Sequence, residues 1–551
     1  MRDYREYIST YNNMQVTQSY WPSIKFGKLY DCSIGHELRT AAMEVPDRIA
    51  LVEGHADGGK RRRWTYSELL AESERVASAL LCRFQPGEHV ALWSRNSAEW
   101  ILMYYGCALA GLVVVTVNPA YKEQEFEYVM RQSDAVGLIM ADEHRGFDML
   151  AALQKIKPAL PVLREVIRLA NYEEFVSTGD PSIPFPNVDA QDPFIIMYTS
   201  GTTGVPKGAL LYHSGLLNTN YYVGMFSQLG PNETWIAPLP LFHISTCGLA
   251  VLGCMTHRAK LVIMPVPDVV DILDCFEKEG GTYIQLPPVL LNSILSHPAR
   301  TQSHLKTLKT IGGMEFKPAT VDLIYRELGT HIKYWICYGQ TESHGVITET
   351  HPDDADNQIL NTAGRPFPWC ELKIADRETG EILPLGEVGE VCFRGYQNML
   401  GYYNMPEATA QTLESDGWQH SGDLGTMDER GFVKITGRLK DMIRRGGENI
   451  YPREVEGILL LHPKVQNAIV LGVPNEEWGE EVAAVITPHS AEESPTPKEL
   501  FDFCRTKLSH FKVPRIWLVT LKDMPYTGAG KAQKFVIRDS ILSGELVTER
   551  I

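Results

Sequence analysis

The sequence contains no Cys-x-x-Cys pair and no cysteine–histidine cluster at zinc-binding spacing. Its ten cysteines are scattered over 551 residues, a chain too large to need disulfide staples, so a reducing, cytoplasmic setting is expected. Positive charge is scarce. The formal net charge of −16 repels nucleic-acid phosphates and argues against a nucleic-acid partner. Internal repeats and low-complexity segments are also missing, which excludes solenoids and fibres. The opening "MRDYREYIST" lacks the apolar core of a secretory signal, and the closing "TERI" is no familiar address. Long hydrophobic runs are almost absent. The exception, Ile101 to Val117 ("ILMYYGCALAGLVVVTV"), is uncharged and at the lower edge of membrane-spanning length. Asn96 or Ser97 can cap a helix that ends near Gly111, and "LVVVTV" then reads as a buried parallel strand. No transmembrane segment is expected.

What is present is a globular composition, 44% hydrophobic and 22% charged, at a length that divides into two or three domains. Thr65 and Glu68 stand at capping-box spacing ahead of an amphipathic helix, and "HVALWS" follows as a strand. The acidic, amphipathic "YKEQEFEYVMRQ" continues the alternation. Later come "GLIMAD", "AKLVIMPV", "TYIQLPP" and "IKYWICYG", apolar runs separated by helical stretches, which indicate a large α/β domain with mostly parallel sheets. From about Gly386 the pattern shifts to "GEVGEVCFRG" and "GFVKITGR", a small β-rich subdomain. A final α/β unit has "AIVLGV", "VAAVIT" and "RIWLVT" as its strands.

The stretch "YTSGTTGVPKGALL", Tyr198 to Leu211, carries the first chemistry. It follows the apolar strand "FIIMYT" and offers the hydroxyls of Ser200, Thr202 and Thr203. Gly201, Gly204 and Gly208 free backbone amides, and Lys207 adds an ammonium group. Such donors suit polyphosphate oxygens. The common ATPase loop needs Gly-Lys-Ser/Thr opening a helix, whereas here Pro206 precedes the lysine and Gly208 follows it, so a P-loop ATPase fits poorly. Read alone, the loop is also compatible with an ordinary Ser/Thr/Gly surface turn.

Four more segments follow in order: "YGQTES" after the strand "IKYWIC", then "GWQHSGDLG", "GRLKDMIRRGGENIYPREVE" and "GAGKAQK". With this set, from "WTYSEL" near residue 64 to "GKAQK" near 531, the chain resembles the adenylate-forming superfamily of acyl-CoA synthetases, luciferases and peptide-synthetase adenylation domains. The resemblance implies a large N-terminal AMP-binding domain (residues 1–437) of two parallel-sheet α/β subdomains plus the β-rich one, a hinge (438–441), and a small mobile α+β C-terminal domain (442–551). It implies ATP, Mg²⁺ and coenzyme A as cofactors. Thr199 to Gly204 and Lys207 would hold the β and γ phosphates. Glu342 would be the Mg²⁺ ligand, with Thr341 against the α-phosphate. Asp423 would accept hydrogen bonds from both ribose hydroxyls. Arg438 would contact ribose and phosphate, and Lys440 falls at the hinge. Lys531 would bridge the substrate carboxylate and the α-phosphate.

The basic cluster of Arg438, Lys440, Arg444 and Arg445 suits ATP or CoA phosphates, and Gly446 and Gly447 would admit a pantetheine arm. Pro452 sits well in the first turn of a helix. For the acyl pocket the resemblance points to "PLFHIST", "IGGMEF" and the Tyr338 loop. His243 would gate the carboxylate and Gly313 leave room for an acyl tail. Met314, Glu315, Tyr338 and Gly339 would stand at the adenine and acyl contacts, Met314 where small residues are common in the family. The expected function is ATP-dependent ligation of a fatty or related apolar acid to coenzyme A through an acyl-adenylate. The partners are therefore the acid and CoA, with a homodimer left open. An aryl acid, a carrier protein as acceptor, luciferase-type oxygenation and a non-catalytic nucleotide-binding protein are the alternatives.

Overall fold

The computed structural model describes residues 11–54, 60–199, 206–314, 316–446, 448–526 and 532–551. They fall into two compact units, one within residues 1–373, 392–420 and 428–433, the other within 374–391, 421–427 and 434–551.

The first unit is built on two mostly parallel sheets. In one, the strands Lys333–Tyr338, Thr310–Gly313, Tyr283–Gln285, Thr234–Ala237, Lys260–Ile263 and Ile49–Glu53 lie side by side and parallel. In the other, Pro193–Thr199, Val113–Val117, His89–Trp93, Gly137–Met140 and Glu165–Arg168 do the same. Lys207–Tyr212 extends this second sheet antiparallel to Pro193–Thr199, with Thr199 opposite Lys207. These strands are the apolar, β-branched runs expected of sheets covered on both faces.

The uncharged run from Ile101 divides into a buried helix and a buried strand, Val113–Val117. Ser97 caps the helix Ala98–Ala110 by accepting the Trp100 N–H at 3.2 Å, and Gly111 ends it at φ 70°. That helix is buried along its whole length and touches a strand of each sheet, which explains its lack of a polar face. Among the described residues no helix is long and apolar enough to cross a membrane. The capping box at Thr65 forms as read, with Glu68 N–H to Thr65 Oγ1 at 3.2 Å and Thr65 N–H to Glu68 Oε2 at 2.8 Å. The strands expected in "GEVGEVCFRG" and "GFVKITGR" span Gly389–Arg394 and Val433–Arg438.

In the second unit Val465–Asn475 and Gly479–Pro488 form a long antiparallel ladder, extended by Ile443–Arg445, Glu448–Ile450, Ile516–Val519 and Glu549–Arg550. Side chains alternate between its faces. Val470, Val482, Ala484 and Ile486 pack under the helices Pro452–Leu459 and Pro497–Arg505. Ile469, Leu471 and Val485 pack with Ile537 of the helix Lys534–Leu542.

Candidate active site

The loop strand and the "YGQTES" turn meet in the first unit. Strand Lys333–Tyr338 ends at Tyr338, and a single 3-10 turn, Thr341–Ser343, follows it. The turn is tightly held. Ser343 Oγ donates to the Gln340 carbonyl at 2.8 Å and accepts the Gln340 N–H at 3.1 Å. Gly339 allows the chain to double back, since a Cβ there would lie 2.2 Å from the Gly345 carbonyl oxygen. His344 closes the turn in the left-handed region (φ 54°) with its ring fully buried. Its Nδ1 lies 3.0 Å from the Gln397 carbonyl and its Nε2 accepts the Tyr212 N–H at 3.3 Å. Burial pushes this imidazole down to about 4, so it stays neutral and serves the backbone.

This construction aims Glu342. Its Oε1 accepts the Tyr402 hydroxyl at 2.9 Å and the Thr199 hydroxyl at 3.3 Å. Gln419, fully buried, donates Nε2–H to the Glu342 carbonyl at 2.9 Å and accepts the Met399 N–H at 3.1 Å. Lys207 places its ammonium 4.9 Å from the centre of the Tyr402 ring. Burial first, then the Glu342 carboxylate, holds the Tyr402 phenol well above its usual range, so it remains a donor. Thr199 and Lys207 of the one loop and Glu342 of the later turn are thus brought together. Tyr402 and Gln419 were not anticipated. Tyr402 lies on a two-residue strand, Gly401–Tyr402, that pairs with Ala209 and Leu210, and nothing local in the sequence announces that pairing.

In the second unit Asp423 and Arg438 are paired, Arg438 Nε to Asp423 Oδ1 at 3.1 Å, with the Asp423 side chain 7% exposed. Lys440 follows in the 3-10 turn Leu439–Asp441. Burial and then neighbouring Arg438 lower its pKa. Arg445 is held bidentate by Glu481 at 2.6 and 3.0 Å, whereas Arg444 is exposed. Gly446 (φ 59°) lies against the Trp478 ring, 2.7 Å from where a Cβ would stand.

His243 Nδ1 accepts the Ser245 N–H at 3.2 Å and lies 2.9 Å from Ser245 Oγ. One residue, the cap Ile244, separates it from a π-helix, Ser245–Leu252, a widened turn type that recurs at functional sites. A Cβ on Gly313 would meet the Phe316 ring at 2.7 Å. Met314, 57% exposed, follows it at the end of its strand. Thr341 lies in the turn beside Glu342. Ser200, Gly201, Thr202, Thr203, Gly204, Glu315, Gly447 and Lys531 lie outside the described residues.

Chemically, the first cluster offers an ammonium for anionic oxygens beside a carboxylate and a hydroxyl. The second offers a buried carboxylate held by a guanidinium. Known proteins give the context. The AMP-binding enzyme family matches residues 38–403, and the AMP-binding enzyme C-terminal domain matches 454–531. The human mitochondrial medium-chain acyl-CoA ligase ACSF2 is 33% identical over 92% of this chain and 87% of its own. ATP-bound MatB of Rhodopseudomonas palustris superposes with TM-score 0.81 at 26% identity, over 92% of this chain and 98% of that one. The anthranilate CoA ligase AuaEII, solved with anthranoyl-AMP, gives 0.82 at 25% identity, over 95% and 99%. The chain belongs to the AMP-binding enzyme family, and within it to the AMP-forming acyl-CoA ligases.

Proposed function

We propose that the acid is a fatty or related apolar monocarboxylate of medium length, that Mg²⁺ accompanies ATP, and that the motif residues act as the resemblance implies. The carrying observation is the cluster of Thr199, Lys207 and Glu342 around Tyr402. A carboxylate oxygen and a hydroxyl oxygen 3.3 Å apart are a hard, oxygen-only donor pair. Mg²⁺ favours such a pair with substrate phosphates and water completing its shell, so the residues fit the ion. When bound, it would neutralise charge gathering on the phosphates.

A carboxylate does not react usefully with a thiol, because oxide would have to leave. In the first step a carboxylate oxygen attacks the α-phosphorus of ATP, the α–β bridging bond breaks, and pyrophosphate departs with the electron pair. In the second, the CoA thiolate attacks the acyl carbonyl and AMP departs. Lys207 would steady the β and γ phosphates during the first step. Thr341 would lie at the α-phosphate, and Lys531 would bridge it to the attacking carboxylate. His243, with Nδ1 occupied as acceptor, would present Nε2 toward the acid. Asp423 would take the ribose hydroxyls and Arg438 the adjoining phosphate. The C-terminal domain would turn about Lys440 between the two steps, a hinge motion of a common kind.

The medium-length acid is supported by the 33% identity to ACSF2. The likeness to an anthranilate ligase favours an aryl acid as second reading. A cytoplasmic location is supported by ten free cysteines, eight of them buried. Pyrophosphate release measured on a panel of alkyl and aryl acids, with CoA or a holo carrier protein as acceptor, tests these assignments. The expected result is fastest turnover with C6–C12 alkyl acids and CoA. Turnover confined to aryl acids, or to the carrier, would reject them.

A further inference from the structure

The nine-stranded sheet turns one face to an outer apolar cluster, into which Ile236, Ile284, Tyr334 and Ile336 project. By the two-residue alternation of strands, Trp235, Tyr283, Gln285, Trp335 and Cys337 face the other way. The Trp235 ring lies 3.7 Å from the Cβ position of Gly253, next to the π-helix Ser245–Leu252, so that helix covers the inner face. His243 stands at the head of the same helix.

For the wall of an apolar acyl pocket, this face is oddly polar. Gln285 Oε1, the Trp335 indole N–H and both carboxyl oxygens of Glu349 are buried with no hydrogen-bond partner among the described residues, and the buried Tyr283 hydroxyl has Ser227 and Glu349 as neighbours. Glu349 is 1% exposed and Gln285 6%. On the covering π-helix Thr246 Oγ1 shares that condition. Gln285 Nε2 donates to Cys337 Sγ at 3.9 Å, and Cys337 is the antiparallel register partner of Glu349, so the three side chains share one patch. Glu349 makes no ion pair among the described residues, and burial pushes its carboxyl well above the usual range. It is therefore a hydrogen-bond donor as well as an acceptor.

Unpaired polar atoms buried in such number call for something that pairs them. The patch begins where the acid would be held. Gln285 is level with Gly312, one residue short of Gly313, and Glu349 is opposite Cys337, one residue short of Tyr338. Tyr283 is two residues deeper, so at roughly 3.3 Å per residue the patch runs roughly 3–10 Å inward from that edge. We propose that Gln285 and Glu349, with Tyr283 deeper along the same face, read a hydrogen-bonding substituent, a hydroxyl or oxo group, on the otherwise apolar body of the acid. The inference rests on the acyl-CoA ligase reading of the same site. A site built to bond a polar group discriminates strongly against the analogue lacking it, because its own groups are then left unpaired.

The test is kcat/KM for acyl-CoA formation by the full chain with decanoic acid and with its positional hydroxy and oxo derivatives. Wild type should favour at least one substituted acid over decanoic acid by about tenfold or more. Glu349→Met should reduce or reverse that preference, mainly through KM. Glu349→Gln, which keeps donor and acceptor, should preserve most of it. Gln285→Leu, a second variant on a different strand of the same sheet, should act in the same direction if Glu349→Met does not fold. A wild-type preference for decanoic acid, or a preference that neither Glu349→Met nor Gln285→Leu alters, overturns the proposal and leaves buried water as the partner of these groups. If no acid supports pyrophosphate release at all, the ligase reading falls with it; normal turnover without dependence on these residues removes the present inference alone.

Discussion

A carboxylate that has to meet a cation must be aimed without being neutralised. Tyr402 and Thr199 would do this for Glu342, the proposed Mg²⁺ ligand, with uncharged hydroxyls, and Gln419 fixes the backbone behind it. Tyr402→Phe removes one hydrogen bond to a charged group, an interaction worth about 1.5–3 kcal/mol. The Mg²⁺-ATP requirement should rise about tenfold or more while the fold is kept, and steady-state kinetics at varied Mg²⁺ reads it; wild-type kinetics would exclude Tyr402 from the nucleotide's surroundings. Asp423 poses the complementary case. Its partner Arg438 already compensates its charge, and its proposed ligand is neutral ribose. Asp423→Ala should weaken AMP binding by about 1.5–3 kcal/mol in calorimetry, and unchanged affinity would refute the ribose assignment. The motif acids and lysine were legible because each sits in a short run of characteristic residues. Tyr402 and Gln419 were not, because they reach Glu342 only through pairing and packing formed far along the chain.

At the scale of elements, the helix His213–Phe226 is held by three histidines. His213 opens it, the His344 ring fills the space over Gly215, and the His257 ring that over Gly224. Burial lowers their pKa values to about 3, 4 and 4 respectively. Unfolded, each would titrate near 6.5, so between there and pH 4 the unfolded chain binds more protons. Their contribution to stability is therefore complete above about pH 6.5 and lost as pH falls through 4. The melting midpoint should drop steadily over that window; a flat midpoint from pH 7 to 4 would contradict the burial of these rings as neutral groups. The turn after Tyr338 depends likewise on Gly339. Gly339→Ala pushes a methyl into the Gly345 carbonyl and should cost about 1–3 kcal/mol, while displacing Glu342 enough to raise the ATP requirement. Denaturant melts and kinetics read the two effects separately. Most of these elements were legible beforehand: the capping box at Thr65, the Ser97 cap, the Gly111 stop and the parallel strands all carry local signals. The π-helix after His243 carried none, since its sequence "STCGLAVL" suits any buried helix.

For the whole molecule, one chain has to run two reactions with different needs, adenylation beside ATP and thioester formation with the CoA thiol. Lys531→Ala should slow acyl-adenylate formation by roughly 10²–10³-fold while sparing CoA capture of supplied acyl-adenylate. Lys440→Pro, which restricts the proposed hinge, should slow one half-reaction more than the other. Equal loss in both steps for both variants would remove the division of labour. The oligomeric and regulatory sides of the molecule had no comparable signal in the sequence, because they depend on surfaces rather than motifs. Beneath all of this lies one claim, that the acid's own oxygen attacks the α-phosphorus of ATP. Supplying decanoic acid labelled with ¹⁸O in its carboxylate, together with ATP and CoA, and following the label by mass spectrometry tests it directly. One ¹⁸O should appear in AMP for each acyl-CoA formed, with none in pyrophosphate. Label in a phosphate product other than AMP, or unlabelled AMP beside full acyl-CoA formation, would contradict the adenylate route.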